Sequence, residues 1–233
     1  MRCAIYFIPP AQSDLTLAAA EWLRRDPYTG ARVSAAVEGL TEDDHAFLTA
    51  VPRRYGFHGT LKAPFHLVPG RSLDDLQRKL DAICGSLQPV TVNTRIGRVG
   101  TIFALLPTRP DADLDAVAAR IVTEVDAFRS PLTDDELERR DLSRLSGRQL
   151  AHLLAWGSPH VFDEFRFHMT LTSPVPPLER DHVATVLTRH FGPLAEAPLE
   201  IGQLALCVEP EPYAPFLVHS VHKFCLQRQR KIA

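Results

Sequence analysis

Several features that direct a chain toward a known class of site are missing from this sequence. Its four cysteines lie far apart, at positions 3, 84, 207 and 225, so they form neither a CxxC metal pair nor a disulfide framework. The nucleotide-binding patterns GxxxxGK and GxGxxG, the hydrolase pattern GxSxG and the metalloprotease pattern HExxH are also absent. We therefore expect reduced thiols, no resident metal and no cofactor.

Long apolar runs and basic runs are missing as well. No stretch approaches the ~18 apolar residues that cross a bilayer, and the first ten residues are interrupted by two prolines, unlike a signal peptide. The net charge is −2, and the only basic cluster is the short tail at 228–231, whereas proteins that hold long nucleic acid usually present a basic face. We expect a cytoplasmic protein whose partner is a small anionic molecule rather than a membrane or a long nucleic acid.

The chain has 233 residues, 45% of them apolar, which is enough to bury a large core. Short β-rich runs alternate with amphipathic stretches, which predicts an α+β fold. Strands are predicted at 3–8, 55–68, 90–95, 101–106, 165–172, 199–208 and 216–226. Helices are predicted at 13–25, 72–84, 111–128 and 178–191, with a shorter one at 41–49 and a mostly helical insertion at about 129–160.

Two of the predicted strands carry nearly the same sequence. Residues 57–64 (FHGTLKAP) and 167–174 (FHMTLTSP) are identical at five of eight positions, and each segment precedes a helix and two strands. This pattern indicates an internal β-α-β-β repeat at about 55–106 and 165–226. We expect one domain over 1–233 with two antiparallel-sheet lobes related by a pseudo-twofold axis, helices outside and a central cleft.

The repeated strands should present polar side chains to that cleft. Side chains two apart on a strand point to the same side, so the alternation predicts one face made of these residues: His58, Thr60 and Lys62 in the first copy, and Arg166, His168, Thr170 and Thr172 in the second. The intervening Phe, Met and Leu side chains belong in the lobe cores. Two lobes facing each other would bring two imidazoles and two hydroxyls together.

Such a cleft suits phosphodiester chemistry without a metal. One neutral imidazole can take a proton from the attacking group while a second, protonated imidazole gives a proton to the leaving oxygen. The hydroxyls of Thr60 and Thr170 can bind the non-bridging phosphate oxygens. Four residues near the motifs are candidates to bind the substrate's phosphate: Lys62, Arg166, Tyr55 and Tyr6.

The segments 58–61 and 168–171 resemble the paired His-x-Thr/Ser-x signature of the two-histidine (2H), LigT-like phosphoesterase superfamily. Residues 55–65, 128–132 and 165–171 further resemble a branch found with phosphonate-metabolism operons, over nearly the whole chain. The resemblance implies a bilobal α+β fold, no metal, and histidines as acid and base. The operon association implies 5-phosphoribosyl 1,2-cyclic phosphate as substrate, opened to ribose 1,5-bisphosphate. That substrate carries a second phosphate, and the candidates to bind it are Arg129, Arg166 and the pair Arg139 and Arg140.

Two other functions stay open at this point. One is a 2′,3′-cyclic phosphodiesterase or ligase acting on RNA ends or nucleotides, and the other is a non-catalytic protein that binds a phosphorylated metabolite. The sequence does not determine which histidine is the base, whether 129–160 forms a lid, the oligomeric state or the direction of the reaction.

Overall fold

The computed structural model describes residues 1–225, which form one antiparallel sheet of eight strands with seven α-helices packed around it. The strands are β1 Arg2–Phe7, β2 Gly59–Phe65, β3 Val90–Val99, β4 Ile102–Pro107, β5 Met169–Thr170, β6 Pro198–Ile201, β7 Gln203–Glu209 and β8 Leu217–Lys223. The helices are α1 Asp14–Leu23, α2 Glu42–Tyr55, α3 Leu73–Cys84, α4 Ala112–Val125, α5 Asp134–Glu138, α6 Gly147–Trp156 and α7 Arg180–Phe191. The predicted α+β class is confirmed.

The strand order shows how the sheet divides. It runs β6-β3-β4-β5-β2-β1-β7-β8, so four strands lie on each side of the junction between β5 and β2. These two central strands are the ones that carry the repeated segments. The antiparallel halves and the central cleft agree with the two-lobed fold predicted from the repeat.

Strand β1 is buried on both faces, which explains its nearly continuous apolar sequence. Ile5 and Phe7 face the large core under the helices, while Ala4 and Tyr6 belong to a smaller apolar cluster on the other face of the sheet. That smaller cluster also contains Phe216 and forms part of the wall behind the cleft.

The helix starts follow local side-chain chemistry. The Ser13 hydroxyl accepts from the Thr16 amide at the start of α1, and Ser72 and Asp75 form the predicted capping box of α3. Helix α2 is capped by Thr41, as expected for a helix starting there. It continues six residues beyond the predicted end at 49, so Tyr55 lies on a helix rather than on the predicted strand.

The extension of α2 runs through Pro52. Because proline has no N–H, the Leu48 carbonyl lacks its usual partner within the helix. That carbonyl accepts from the Ser173 amide at 2.6 Å, and the Ser173 hydroxyl accepts from the Val51 amide at 3.2 Å. These two hydrogen bonds hold α2 against the end of the second repeated segment. Gly56, with φ of 75°, ends the helix just before the first repeated segment.

The predicted strand at 199–208 is in fact two strands. Its first part, β6, pairs with β3, whereas its second part, β7, pairs with β1 on the other half of the sheet. Gly202 lies between them, where the chain crosses from one half to the other. The end of the last predicted strand, residue 226, lies outside the described residues. None of the helices within residues 1–225 has the length and apolar character needed to cross a membrane.

Candidate active site

The two repeated segments meet through one pair of residues. Gly59 on β2 lies opposite Met169 on β5 in an antiparallel register. His58 therefore lies across from Thr170, and Thr60 lies across from His168, on the face opposite to the Met169 side chain. The pairing brings both histidines and both threonines of the repeated segments onto adjacent positions of one surface.

The close approach of the two segments depends on a glycine. A β-carbon at Gly59 would lie 2.4 Å from the ring of Phe167, which is buried and packs against Phe7 at a centroid distance of 6.2 Å. Any side chain at position 59 would have to displace that ring. The glycine in the first segment and the methionine in the second are thus not interchangeable.

A cavity of about 370 Å³ opens over this surface. The four side chains of the repeated segments line it: His58, Thr60, His168 and Thr170. Tyr6, Tyr55 and Arg166 also line it, and Arg166 is the one arginine or lysine among the described residues that does so. The volume suits a ligand of small-molecule size.

His58 is held in one orientation by contacts on three sides. Its Nδ1 lies 2.9 Å from the Gly56 carbonyl oxygen, which requires Nδ1 to carry the proton in the neutral ring. Its Nε2 lies 3.1 Å from the Thr60 hydroxyl oxygen, and its ring stacks on Tyr6 with centroids 3.8 Å apart. The unprotonated Nε2 accepts this hydrogen bond from the Thr60 hydroxyl, so it is a proton acceptor directed at the cavity.

The surroundings of His58 favour its neutral form. Enclosure by the protein lowers the pKa of His58 to about 4, and the charge of nearby His168 acts in the same direction, while the hydrogen bond to the Gly56 carbonyl opposes both. An imidazole with this pKa is unprotonated at neutral pH. It can accept a proton through Nε2, and its one ring proton, on Nδ1, is held by the Gly56 carbonyl.

His168 is held in the same way but is less enclosed. Its Nδ1 lies 2.8 Å from the Arg166 carbonyl oxygen, so its Nε2 is also the nitrogen left for the cavity. The ring is partly exposed. Each repeated segment thus uses the carbonyl two residues before its histidine to fix that ring, which leaves two oriented Nε2 atoms for chemistry.

The strand alternation predicted for Lys62 is wrong. Thr60 pairs with Tyr6 and Lys62 pairs with Ile5, so a β-bulge at Leu61 reverses the alternation between them. Lys62 consequently points away from the cavity and is buried, and its Nζ donates to the Asp126 carboxylate and to the Val122 carbonyl, each at 3.0 Å.

Arg129 is also held away from the cavity, by the same carboxylate. Its Nε donates to Asp126 at 2.8 Å, and its Nη2 donates to the Ala155 carbonyl at 2.7 Å. Burial acts to raise the pKa of Asp126, but the hydrogen bonds from Arg129 and Lys62 outweigh it and lower that pKa. The two cations therefore join α4 to the strand and to the insertion, and neither lines the cavity.

The other predicted phosphate-binding residues do line the cavity. Arg166 is exposed and its Nη1 donates to two backbone carbonyls, of Asp163 and Phe165, so the guanidinium is placed at the rim with further donors available. Tyr6 is almost fully buried behind His58, and burial raises its pKa well above the ordinary value. Tyr55 stacks on Phe216 with centroids 5.4 Å apart.

The loop after α6 also lines the cavity, a contribution that was not predicted from the sequence. Ser158, His160 and Val161 line the cavity, and they follow Gly157, whose φ of 77° ends the helix. The sequence signal was a helix-ending glycine followed by Ser-Pro-His shortly before the second repeated segment. The end of the helical insertion therefore forms one wall of the cavity.

The antiparallel α+β sheet joins two His-x-Thr segments at its centre, which is the arrangement that the resemblance to the LigT-like, two-histidine class implies. A family model described as "Protein of unknown function (DUF1045)" matches residues 60–217, more than half of the chain, so the chain belongs to this family.

Two curated proteins align with nearly all of the chain. Both are described as "Ribose 1,5-bisphosphate phosphokinase PhnN". The first, from Janthinobacterium sp. (strain Marseille), is 35% identical over 93% of this chain and 49% of the relative. The second, from Laribacter hongkongensis (strain HLHK9), is 31% identical over 93% of this chain and 50% of the relative. The chain spans about half the length of the curated relatives it matches.

Solved structures similar to the chain include E. coli LigT complexed with NADP+, at 11% identity and a TM-score of 0.43, with 97% of this chain and 98% of that chain covered. The protein TT0787 of Thermus thermophilus matches at 15% identity and a TM-score of 0.43, with 96% and 98% covered. Likeness at this level assigns no residue a role.

Proposed function

We propose that the protein is a metal-independent cyclic phosphodiesterase that acts on a small phosphorylated sugar. The observation that carries the proposal is the register of β2 and β5, which sets two oriented imidazoles and two hydroxyls around one cavity. Acid, base and phosphate-binding groups are then all supplied by side chains.

The different surroundings of the histidines suggest how they divide the work. His58, neutral at physiological pH, takes a proton from water through Nε2 as the water oxygen attacks phosphorus. The phosphorus–oxygen bond to one sugar carbon breaks, and protonated His168 gives its Nε2 proton to the departing oxygen. The ring opens to a phosphate monoester and a free hydroxyl, and the two histidines have exchanged protonation states.

The remaining polar groups would hold the phosphate during this step. The hydroxyls of Thr60 and Thr170 lie beside the two imidazoles and can donate to the non-bridging oxygens. Arg166 at the rim can offset the charge that develops on them. When phosphate binds, the Thr60 hydroxyl would turn from His58 Nε2 to a phosphate oxygen, which frees that nitrogen for the attacking water.

For the substrate we propose 5-phosphoribosyl 1,2-cyclic phosphate. Two observations support it: the resemblance to a branch associated with phosphonate metabolism, and the relatives described as ribose 1,5-bisphosphate phosphokinases. Ribose 1,5-bisphosphate is the compound that hydrolysis of this cyclic diester would produce. The product of the proposed reaction would then be the compound that appears in the names of those relatives.

A substrate panel followed by phosphorus NMR tests the proposal. Purified protein is incubated with 5-phosphoribosyl 1,2-cyclic phosphate, with a 2′,3′-cyclic nucleotide and with an RNA bearing a 2′,3′-cyclic end, each with and without EDTA. We expect loss of the sugar cyclic phosphate signal, unchanged by EDTA, and slower turnover of the other two. Preference for the nucleotide or the RNA would instead establish the RNA-end function. Binding of the sugar phosphate without turnover of any compound would establish a non-catalytic binding protein.

A further inference from the structure

A second cavity adjoins the one that contains the histidines. It has a volume of about 330 Å³, and the two cavities share Tyr55 as a wall. Four arginines line the second cavity: Arg2, Arg54, Arg139 and Arg140. A concentration of guanidinium groups in one concave site is unexpected in a chain whose net charge is −2, and it makes this cavity an anion-binding candidate.

One buried carboxylate organises two of these arginines. Glu209 is 1% exposed and accepts from Arg2 Nε, from Arg54 Nη2 and, at 3.1 Å, from the Tyr213 amide. The Arg54 guanidinium also lies over the rings of Tyr55 and Tyr213, at 5.4 Å and 5.3 Å from their centroids. One carboxylate thus fixes two guanidinium groups and neutralises only one of their charges.

The insertion supplies the other two arginines. Arg139 and Arg140 follow α5 directly and are exposed, and neither forms an ion pair with another residue in the described part of the chain. The remaining carboxylate at this cavity, Glu136, caps α5 through Thr133 and lies 3.8 Å from His66. Four guanidinium groups therefore face two carboxylates, and the excess is positive.

The position of Tyr55 relates this charge to the histidines. Its ring centroid lies 5.4 Å from the Arg54 guanidinium carbon and 6.1 Å from the His58 ring centroid. One aromatic side chain thus separates the two cavities. A pentose that places one phosphate at the imidazoles can extend past Tyr55 and direct a second phosphate to the arginines.

We infer that the second cavity is a subsite for a phosphate monoester carried by the same substrate, with Arg139 and Arg140 as its free donors and Arg2 and Arg54 as its fixed wall. The inference rests on the proposed function and narrows its substrate class to sugars that bear a cyclic phosphate and a separate phosphate monoester. Guanidinium groups suit this role because their planar N–H forks match phosphate oxygens.

The test compares two substrates that differ only in the second phosphate. We would measure kcat/KM for 5-phosphoribosyl 1,2-cyclic phosphate and for ribose 1,2-cyclic phosphate, using the wild-type protein and the Arg139→Ala/Arg140→Ala double variant. The wild type should prefer the doubly phosphorylated sugar, and the double variant should lose about tenfold to a hundredfold of that preference, as expected for charge-assisted hydrogen bonds. Arg144→Ala is the matched control, since this exposed arginine lies in the same insertion and forms its ion pair with Asp141.

Two outcomes would overturn the subsite: a wild type that does not discriminate between the sugars, or a preference that survives the double substitution. Failure of the proposed function would look different, because neither sugar would then be hydrolysed. In that case ribose 5-phosphate binding, measured calorimetrically, remains as the readout. Binding that the double variant weakens and Arg144→Ala does not would support the subsite, and binding that is absent or equal in all three proteins would overturn it.

Discussion

The ring of Tyr6 stacks on the imidazole of His58, with centroids 3.8 Å apart and planes inclined by 28°. Tyr6 is 1% exposed and comes from β1, which crosses behind the histidine. It covers one face of the imidazole with apolar surface, so it contributes to the enclosure that lowers the pKa of His58 to about 4. This contact connects the fold of the first strand to the proton chemistry of the cavity.

A pH profile should reveal that contact. Because His58 must be unprotonated to accept a proton, the acid limb of kcat/KM should lie near pH 4. Tyr6→Ala removes the ring that covers the His58 imidazole. We expect the acid limb of kcat/KM to move toward the ordinary histidine pKa by about one pH unit. Tyr6→Phe keeps the ring and should leave the limb in place. Proton NMR of the His58 ring gives the same pKa independently, and equal values in the two variants would contradict the effect of stacking.

The same pKa shift predicts how stability depends on pH. The folded-state pKa of His58 is about 4 against an ordinary 6.5, so between these values the unfolded chain binds a proton that the folded chain does not. The free energy of unfolding should therefore fall as pH decreases through this window. Urea titrations at several pH values should show a shallower decline for His58→Gln than for the wild type. The exposed His219 offers the control, and an identical slope in His58→Gln would argue against a depressed pKa.

Gly59→Ala should destabilise the protein by about 1–3 kcal/mol, because the new methyl group would overlap the ring of Phe167. Gly147→Ala is the matched control, since nothing lies within 4 Å of its added carbon and Gly147 is the first residue of α6. Urea unfolding measures both. In a double-mutant cycle, Phe167→Leu should recover part of the loss at position 59. Strictly additive effects would show that the two positions do not clash.

Asp126→Asn should cost about 3 kcal/mol of stability, because it leaves the Lys62 ammonium and the Arg129 guanidinium, both largely buried, without their counter-charge. Asp141→Asn removes an exposed pair with Arg144 and should change stability by less than about 1 kcal/mol. Chemical denaturation distinguishes the two. A cost at Asp126 as small as that at Asp141 would show that the buried network is not needed, and would reopen a substrate role for Lys62.

The arrangement of the repeated segments could be predicted from the sequence because it depends on local rules. Alternation over two residues puts His58 with Thr60 and His168 with Thr170 whatever the rest of the fold does. The same rule failed one step further along, at Lys62, because a bulge inserts one extra residue and no feature of the sequence marks it.

Other differences came from long-range pairing. Sequence periodicity predicts a strand at 199–208 but carries no information on which strand each part will pair with, and the two parts pair on opposite halves of the sheet. Similarly, α2 continues past Pro52 because Ser173, far away in sequence, satisfies the Leu48 carbonyl. The cavity wall at 158–161 depends on where the insertion packs, which local propensity does not specify.

The most direct measurement of the acid–base proposal is hydrolysis of a sugar cyclic phosphate by His58→Ala and His168→Ala. Each substitution should lower kcat/KM by about 10²–10⁴-fold with folding intact, as removal of a general acid or base does. Added imidazole should restore part of the rate in His58→Ala, because it can occupy the vacated space and accept the proton. Turnover close to the wild-type rate in both variants would contradict the proposed roles of the two histidines.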